Sequence, residues 1–96
     1  MKPARVLIAD DHEITRLGVR AILEPAGHFE FCGIAADDQA AVRHTRDLRP
    51  DLVVLDLGLP RLNGLEAARQ IFRHSPQTSV LIFTEFDSEQ LMREAL

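Results

Sequence analysis

Three aspartates and a threonine lie where they could carry out phosphoryl chemistry. Asp10 and Asp11 directly follow one short apolar run, Asp56 ends a second, and Thr84 ends a third. Carboxylates gathered in one place repel each other, and a bound cation relieves that repulsion. Oxygen ligands suit Mg²⁺, and a carboxylate beside such an ion can attack a phosphoryl group. The sequence therefore predicts a Mg²⁺-assisted aspartyl-phosphate site in which Thr84 donates a hydrogen bond to the phosphoryl oxygens.

These side chains can meet only if the apolar runs are neighbouring strands of one sheet. Strands are predicted at residues 5–10, 29–35, 52–56 and 79–84, and amphipathic helical segments alternate with them. This alternation predicts a doubly wound α/β domain, with a parallel sheet covered by helices on both faces. In such sheets, binding sites form at the carboxyl ends of the strands, near the point where the strand order reverses.

The helical segments carry boundary signals of their own. The second helix is capped by Asp37 or Asp38 and ends near residue 48, the third begins at Asn63, and a fourth is predicted over 87–96. In the first helix one apolar face is formed by Ile14, Leu17, Gly18, Ala21 and Ile22.

Each acidic residue also has a purely structural interpretation. Asp10 and Glu13 fit a capping box for the first helix, and Asp56 could cap the loop that follows its strand. His12, next to the acidic pair, could line the site, but a solvated position in the first helical turn is favoured. Capping explains single aspartates more easily than three of them at the carboxyl ends of strands, so a shared site is favoured.

Composition narrows the possible functions. The 96 residues fit one domain over 1–96, and their net charge of −4 argues against nucleic-acid binding by this chain alone. The apolar runs are too short for a membrane span or a signal peptide, which predicts a cytoplasmic protein with no membrane partner. The only cysteine, Cys32, excludes an internal disulfide and fits a reducing compartment.

In order and spacing, these motifs resemble the receiver domain of two-component response regulators. The similarity covers about residues 5–96 and is carried by VLIADDH at 6–12, DLVVLDLGLP at 51–60, NG at 63–64 and VLIFT at 80–84. Residues 9–18 are similar to the subfamily that usually carries a C-terminal LuxR-type helix-turn-helix. The resemblance implies a flavodoxin-like, or CheY-like, sheet with strand order 2-1-3-4.

The resemblance also implies a role for each candidate residue. Asp56 would accept a phosphoryl group from a sensor histidine kinase and would contact Mg²⁺. Asp11 would bind the ion directly, Asp10 would assist through water, and the backbone carbonyl of Gly58 would be a further ligand. Thr84 would be the switch hydroxyl. Such a domain is not an enzyme, except that it catalyses its own phosphorylation and dephosphorylation.

The family pattern continues beyond this sequence with a fifth strand and a fifth helix. The sequence stops at Leu96, inside the predicted fourth helix, and so lacks the lysine that ends the family's fifth strand. Lys2, the only lysine, lies before the first strand, at the opposite end of the sheet. We expect a C-terminally truncated receiver domain whose fourth strand is an open edge, and hence a homodimer or a domain-swapped oligomer.

Other functions of this topology have weaker support in the sequence. The turn after the first strand has no G-x-G-x-x-G motif, and no Walker lysine occurs, which argues against nucleotide binding. A cobalamin-binding Asp-x-His-x-x-Gly motif fails because Thr15 replaces the glycine, and an aspartate-dependent phosphatase would have an aspartate instead of Gly58. The alternative that stays open is an interaction or dimerisation module without phospho-switching.

Overall fold

Four strands and three helices alternate along residues 2–56 and 64–83, which are the residues that the structure, a computed structural model, describes. In chain order they are β1 (Ala4–Ala9), α1 (Glu13–Leu23), a 3₁₀ turn (Glu24–Ala26), β2 (Phe29–Ala35), α2 (Asp38–Leu48), β3 (Leu52–Asp56), α3 (Gly64–His74) and β4 (Ser79–Phe83). The strands form one parallel sheet in the order β2-β1-β3-β4. This confirms the predicted order 2-1-3-4, while the helix predicted over 87–96 lies outside the described residues.

The sheet is covered on both faces, as its near-continuous apolar strands require. On one face α2 and α3 pack against Leu7, Val53 and Leu55. On the other face α1 packs against a smaller cluster formed by Val6, Ile8 and Val54. Among the described residues, no helix combines the length and the apolar character that crossing a membrane would need.

Helix α1 forms where it was predicted, but it packs through a different face. Val19 and Leu23, one turn apart, lie against the sheet. Ile14, Leu17 and Ile22 are exposed, with 85% of Ile14 accessible to solvent. The apolar face predicted from the sequence is thus rotated away from the sheet, because the contacts with Val6 and Val54 are made through the Val19–Leu23 side of the helix.

At the N-termini of the helices, some of the predicted caps form and others do not. Asp37 caps α2, since its Oδ1 accepts a hydrogen bond of 2.7 Å from the backbone N–H of Ala40. The capping box proposed for Asp10 and Glu13 is wrong, because the residue before α1 is His12 and its side chain makes no cap bond. The loop that Asp56 could cap, residues 57–63, lies outside the described residues.

The amino ends of the strands are tied together by hydrogen bonds from their flanking loops. The backbone N–H of Arg5 donates to Asp51 Oδ2 and the N–H of Asp51 donates to the Arg5 carbonyl, both at 2.8 Å. The N–H of Ser79 donates to the Asp51 carbonyl at 2.9 Å. The buried Thr78 hydroxyl donates to the Pro50 carbonyl, also at 2.9 Å. These bonds join β1, β3 and β4 at the edge of the sheet opposite the aspartates.

Candidate functional site at the carboxyl edge of the sheet

The register of β1 against β3 brings two of the predicted aspartates side by side. Ala9 is paired with Leu55, so the next residues along the two parallel strands, Asp10 and Asp56, emerge together at the carboxyl edge. The backbone N–H of Asp10 also donates to the Ala35 carbonyl at 2.9 Å, which holds the end of β1 against β2. The two aspartates therefore lie where strand order reverses, between β1 and β3.

Four side chains form a compact cluster at this edge, which we call the acidic cluster. Asp10, Asp11, His12 and Asp56 each offer one potential ligand atom, and these atoms all lie within 4.8 Å of one another. Asp10 and Asp56 are 0% and 2% exposed, whereas Asp11 and His12 face solvent. The three predicted carboxylates thus converge, with two of them buried and one accessible.

Asp10 is fixed in place by bonds to the chain that follows it. Its Oδ1 accepts a hydrogen bond of 2.7 Å from the backbone N–H of His12, and its carbonyl accepts one of 2.8 Å from the Arg16 guanidinium. A contact between Arg16 and Asp10 was not predicted from the sequence. Its role depends on the turn between β1 and α1, which places the first turn of the helix over the strand end.

His12 is closer to the carboxylates than the sequence suggested. Its Nδ1 lies 3.1 Å from Asp10 Oδ1 and 3.1 Å from Asp11 Oδ1. The side chain is 57% exposed, so the predicted solvation is correct in part. Nevertheless the ring nitrogen faces the acidic pair, and His12 belongs to the site.

Two predicted site residues, Gly58 and Thr84, lie outside the described residues. Thr84 directly follows Phe83, which pairs with Asp56 in the β3–β4 ladder. Lys2 is exposed and precedes β1, at the edge of the sheet opposite the aspartates, as predicted.

The acidic cluster has the donor chemistry of a divalent-cation site. Like charges that are buried close together disfavour each other, and a cation that binds them offsets both their repulsion and their desolvation. Carboxylate oxygens suit Mg²⁺, and a site that is open to solvent on one side leaves room for the several water ligands that this ion retains. The residues therefore fit the predicted ion.

The chain's only thiol is not part of this chemistry. Cys32 is half-buried in β2, and burial raises the pKa of its thiol. A raised pKa lowers the fraction of thiolate, which is the nucleophilic form. Its packing against the core around Leu7 fits a structural role.

Comparison with known families identifies relatives across almost the whole chain. A sequence profile described as "Response regulator receiver domain" matches residues 6–96. Among curated proteins, the transcriptional regulatory protein YdfI of Bacillus subtilis is 35% identical over 92 residues, covering 96% of this chain and 43% of YdfI. The response regulator protein VraR of Staphylococcus aureus is also 35% identical, covering 96% of this chain and 44% of VraR. The chain thus spans less than half the length of these relatives.

Solved structures agree in fold. A LuxR-family two-component response regulator from Aurantimonas sp. superimposes with a TM-score of 0.81 and 36% identity, over 98% of this chain and 67% of that one. The signal receiver domain of the response regulator NarL from Mycobacterium tuberculosis gives a TM-score of 0.83 with 28% identity, over 99% of this chain and 77% of that one.

Proposed function

The chain belongs to the response regulator receiver domain family, and from that premise we propose that Asp56 accepts a phosphoryl group from a sensor histidine kinase. The observation that carries this proposal is the convergence of Asp56 with Asp10 and Asp11 within 4.8 Å at the carboxyl edge of the sheet. A carboxylate that also has cation ligands beside it is equipped for phosphoryl transfer. An isolated buried aspartate would lack those cation ligands and would not be equipped for this transfer.

We propose that the metal is held by the three carboxylates of the acidic cluster together with a backbone carbonyl. Asp11 and Asp56 would hold Mg²⁺ directly, Asp10 would assist through water, and the backbone carbonyl of Gly58 would be a further ligand. Bound Mg²⁺ supplies positive charge that stabilises the negative charge on the phosphoryl oxygens. Burial of Asp10 and Asp56 supports this arrangement, because the attraction between a cation and a carboxylate is stronger where water is excluded.

The transfer itself is a nucleophilic substitution at phosphorus. A carboxylate oxygen of Asp56 forms a bond to phosphorus while the bond to the donor's imidazole nitrogen breaks, and that nitrogen leaves with the bonding electron pair. The hydroxyl group of Thr84 then donates a hydrogen bond to a phosphoryl oxygen. The domain in this proposal catalyses only its own phosphorylation and dephosphorylation.

The setting of this reaction is proposed to be the cytoplasm. A single cysteine without a disulfide partner fits a reducing compartment. We propose transcription regulation as the output of the whole protein, because the relative YdfI is named a transcriptional regulatory protein. The net charge of −4 argues against DNA binding by these 96 residues alone.

Self-association is also proposed, through apolar surface that the described residues leave exposed. Ile14 and Leu17 on α1 and Phe72 on α3 all face solvent. In the described sheet β4 is an edge strand, which offers a further surface for pairing with a second copy.

Acetyl phosphate with Mg²⁺ tests the phosphoacceptor directly. Intact-protein mass spectrometry is expected to detect one added phosphoryl group on the wild-type chain and none on Asp56→Asn, which keeps the side-chain shape. Asp47→Asn is the matched control, because Asp47 is an exposed aspartate on α2, away from the acidic cluster. Labelling of Asp56→Asn, or no labelling of the wild type, contradicts the proposal.

A further inference from the structure

We propose that two copies of this chain pair through β4, with the two strands antiparallel about a two-fold axis that passes beside Leu81. The pairing joins the two four-stranded sheets into one continuous sheet. This inference rests on the self-association proposed above and deepens it, because it names the strand that makes the contact and the register of the contact.

The described sheet has two edge strands, β2 and β4, and they differ in how well they are protected. β2 carries the charged residue Glu30, and its register against β1 shifts at Cys32, which is left without a partner residue. β4 (Ser79–Phe83) is a regular run with no charge, proline or glycine and no shift in register. Charges and irregular pairing protect natural edges against other strands. Of the two edges, β4 is therefore the one that a further strand can join.

The ladder between β3 and β4 determines which backbone groups of β4 face outwards. The N–H of Ser79 donates to the Asp51 carbonyl on the β3 side, at 2.9 Å. Backbone groups of successive residues point to alternate sides of a strand. Ser79 and Leu81 therefore face β3, whereas the N–H and C=O groups of Val80 and Ile82 point away from it. In the described sheet these outward groups have no neighbouring strand.

A second copy of β4 satisfies these outward groups when the two-fold axis lies beside Leu81. Val80 then lies opposite the partner's Ile82, and Ile82 lies opposite the partner's Val80, and each pair exchanges two hydrogen bonds. Leu81 lies opposite the partner's Leu81 in a pair without hydrogen bonds, with Cα atoms about 4.5 Å apart. An axis beside Val80 or Ile82 would pair only one of these two residues within β4.

On the α1 face of the sheet, the pairing covers exposed apolar side chains. Leu81 is 55% exposed and lines an apolar recess together with Ile22 of α1, which is 76% exposed. A two-fold axis perpendicular to the sheet keeps both copies of Leu81 on this same face, so their side chains contact each other. The recesses of the two copies then adjoin.

On the opposite face, Val80 and Ile82 line a groove with Phe72 of α3, which borders the paired strands. A stable interface buries about 800 Å² on each partner, so a five-residue strand needs such flanking surface. Arg69 and Arg73 line the same groove. Because the pairing brings these like charges of two copies nearer, added salt is expected to strengthen the dimer.

Disulfide trapping tests the register in a Cys32→Ser background, which leaves the introduced cysteine as the only thiol. Leu81→Cys is expected to form an intermolecular disulfide on mild oxidation, since Cα atoms about 4.5 Å apart suit this bond. Val80→Cys is the matched control. Its two copies are offset by two residues along each strand, which places their Cα atoms about 8 Å apart, beyond the reach of a disulfide.

Two further measurements do not depend on cross-linking. Amide hydrogen exchange of Val80 and Ile82 is expected to slow as the protein concentration rises, whereas the Leu81 amide is already bonded to β3. Leu81→Lys places like charges opposite each other and is expected to weaken the dimer about tenfold or more. Ile34→Lys is its control, since Ile34 is 46% exposed on the other edge strand, and it should leave association unchanged.

The outcomes separate this inference from the proposal on which it rests. A dimer in which Leu81→Cys links no better than Val80→Cys overturns the β4 pairing and leaves self-association standing. The same holds for a dimer whose Val80 and Ile82 amides exchange as fast as in the monomer. A monomer at every concentration overturns both proposals.

Discussion

At the scale of single residues, Asp10 has a structural role and, in the proposed function, a second role in holding the metal. Its Oδ1 accepts the backbone N–H of His12 and so shapes the turn into α1. The same side chain is fully buried beside Asp56, with Asp11 also in the cluster. The first role needs an acceptor oxygen but no charge, whereas metal binding needs the charge. An amide substitution can therefore separate the two.

Asp10→Asn is expected to stabilise the metal-free protein by about 1 kcal/mol, because it removes one of several mutually repelling charges while keeping the Oδ1 acceptor. The same variant is expected to bind Mg²⁺ more weakly than the wild type. Urea unfolding in the presence of a chelator measures the first effect, and calorimetry measures the second. Asp10→Ala is the control and should be destabilised, since it also removes the acceptor for His12. Equal destabilisation by Asn and Ala would contradict this account.

At the scale of elements, the sheet depends on bonds made by the loops at its amino edge. Asp51 is bonded to Arg5 through both its side chain and its backbone, and its carbonyl accepts from Ser79. The Thr78 hydroxyl adds a bond from the loop after α3 to the loop after α2, across 28 positions of the sequence. These contacts fix how β4 is placed against β3.

Thr78→Val is expected to lower the free energy of unfolding by about 1–2 kcal/mol, because it deprives the buried Pro50 carbonyl of its hydroxyl donor. Chemical denaturation measures the loss. Thr45→Val is the matched control, since the Thr45 hydroxyl is also buried but donates at 2.6 Å to the Ala41 carbonyl, within its own helix. That carbonyl also belongs to the helical hydrogen-bond ladder. A loss in Thr45→Val as large as that in Thr78→Val would contradict the importance of the loop-to-loop bond.

Most boundaries of the helices and strands were predicted from the sequence, because the apolar runs and the turn residues indicate the same positions. β2 and β3 lie at the predicted residues, and Asp37 caps α2 as expected. Convergence of Asp10 and Asp56 followed from strand order alone. The buried face of α1 did not, because two adjacent sides of that helix are apolar and only its docking angle selects between them.

The same limit applies to the finer contacts of the site. That His12 faces the acidic pair and that Arg16 bonds to the Asp10 carbonyl both depend on the path of a short turn. Spacing in the sequence does not determine that path. Residue types therefore predict which groups share an edge of the sheet, but not which atoms meet.

At the scale of the whole molecule, apolar surface is unevenly distributed. Besides the exposed face of α1, a groove of about 770 Å³ lies between α3 and β4. Five apolar residues and two arginines line it: Leu65, Ala68, Phe72, Val80 and Ile82, with Arg69 and Arg73. Contiguous apolar surface of this kind is typical of association sites.

The chain is expected to sediment as a concentration-dependent dimer in analytical ultracentrifugation. Leu17→Glu on α1 and Phe72→Glu on α3 each test one apolar surface, and the one that lies in the interface should weaken the dimer about tenfold or more. Arg46→Glu, on the exposed side of α2, is the control and should leave association unchanged. A monomer at every concentration would contradict the proposal, as would a dimer that neither apolar variant weakens.

The two ends of the sheet have different roles: one holds the strands together, and the other carries the acidic cluster. This separation affects how such a protein can change over evolution. The bonds of Asp51 and Thr78 lie at one end, and the acidic cluster lies at the other, about 16 Å away along a five-residue strand. In the proposed function, substitutions at the acidic end would alter the metal ligands and the rate of phosphoryl transfer, while the bonds at the opposite end would preserve strand order and register. Evolution can therefore change the residues at the acidic end of this domain while its fold stays the same.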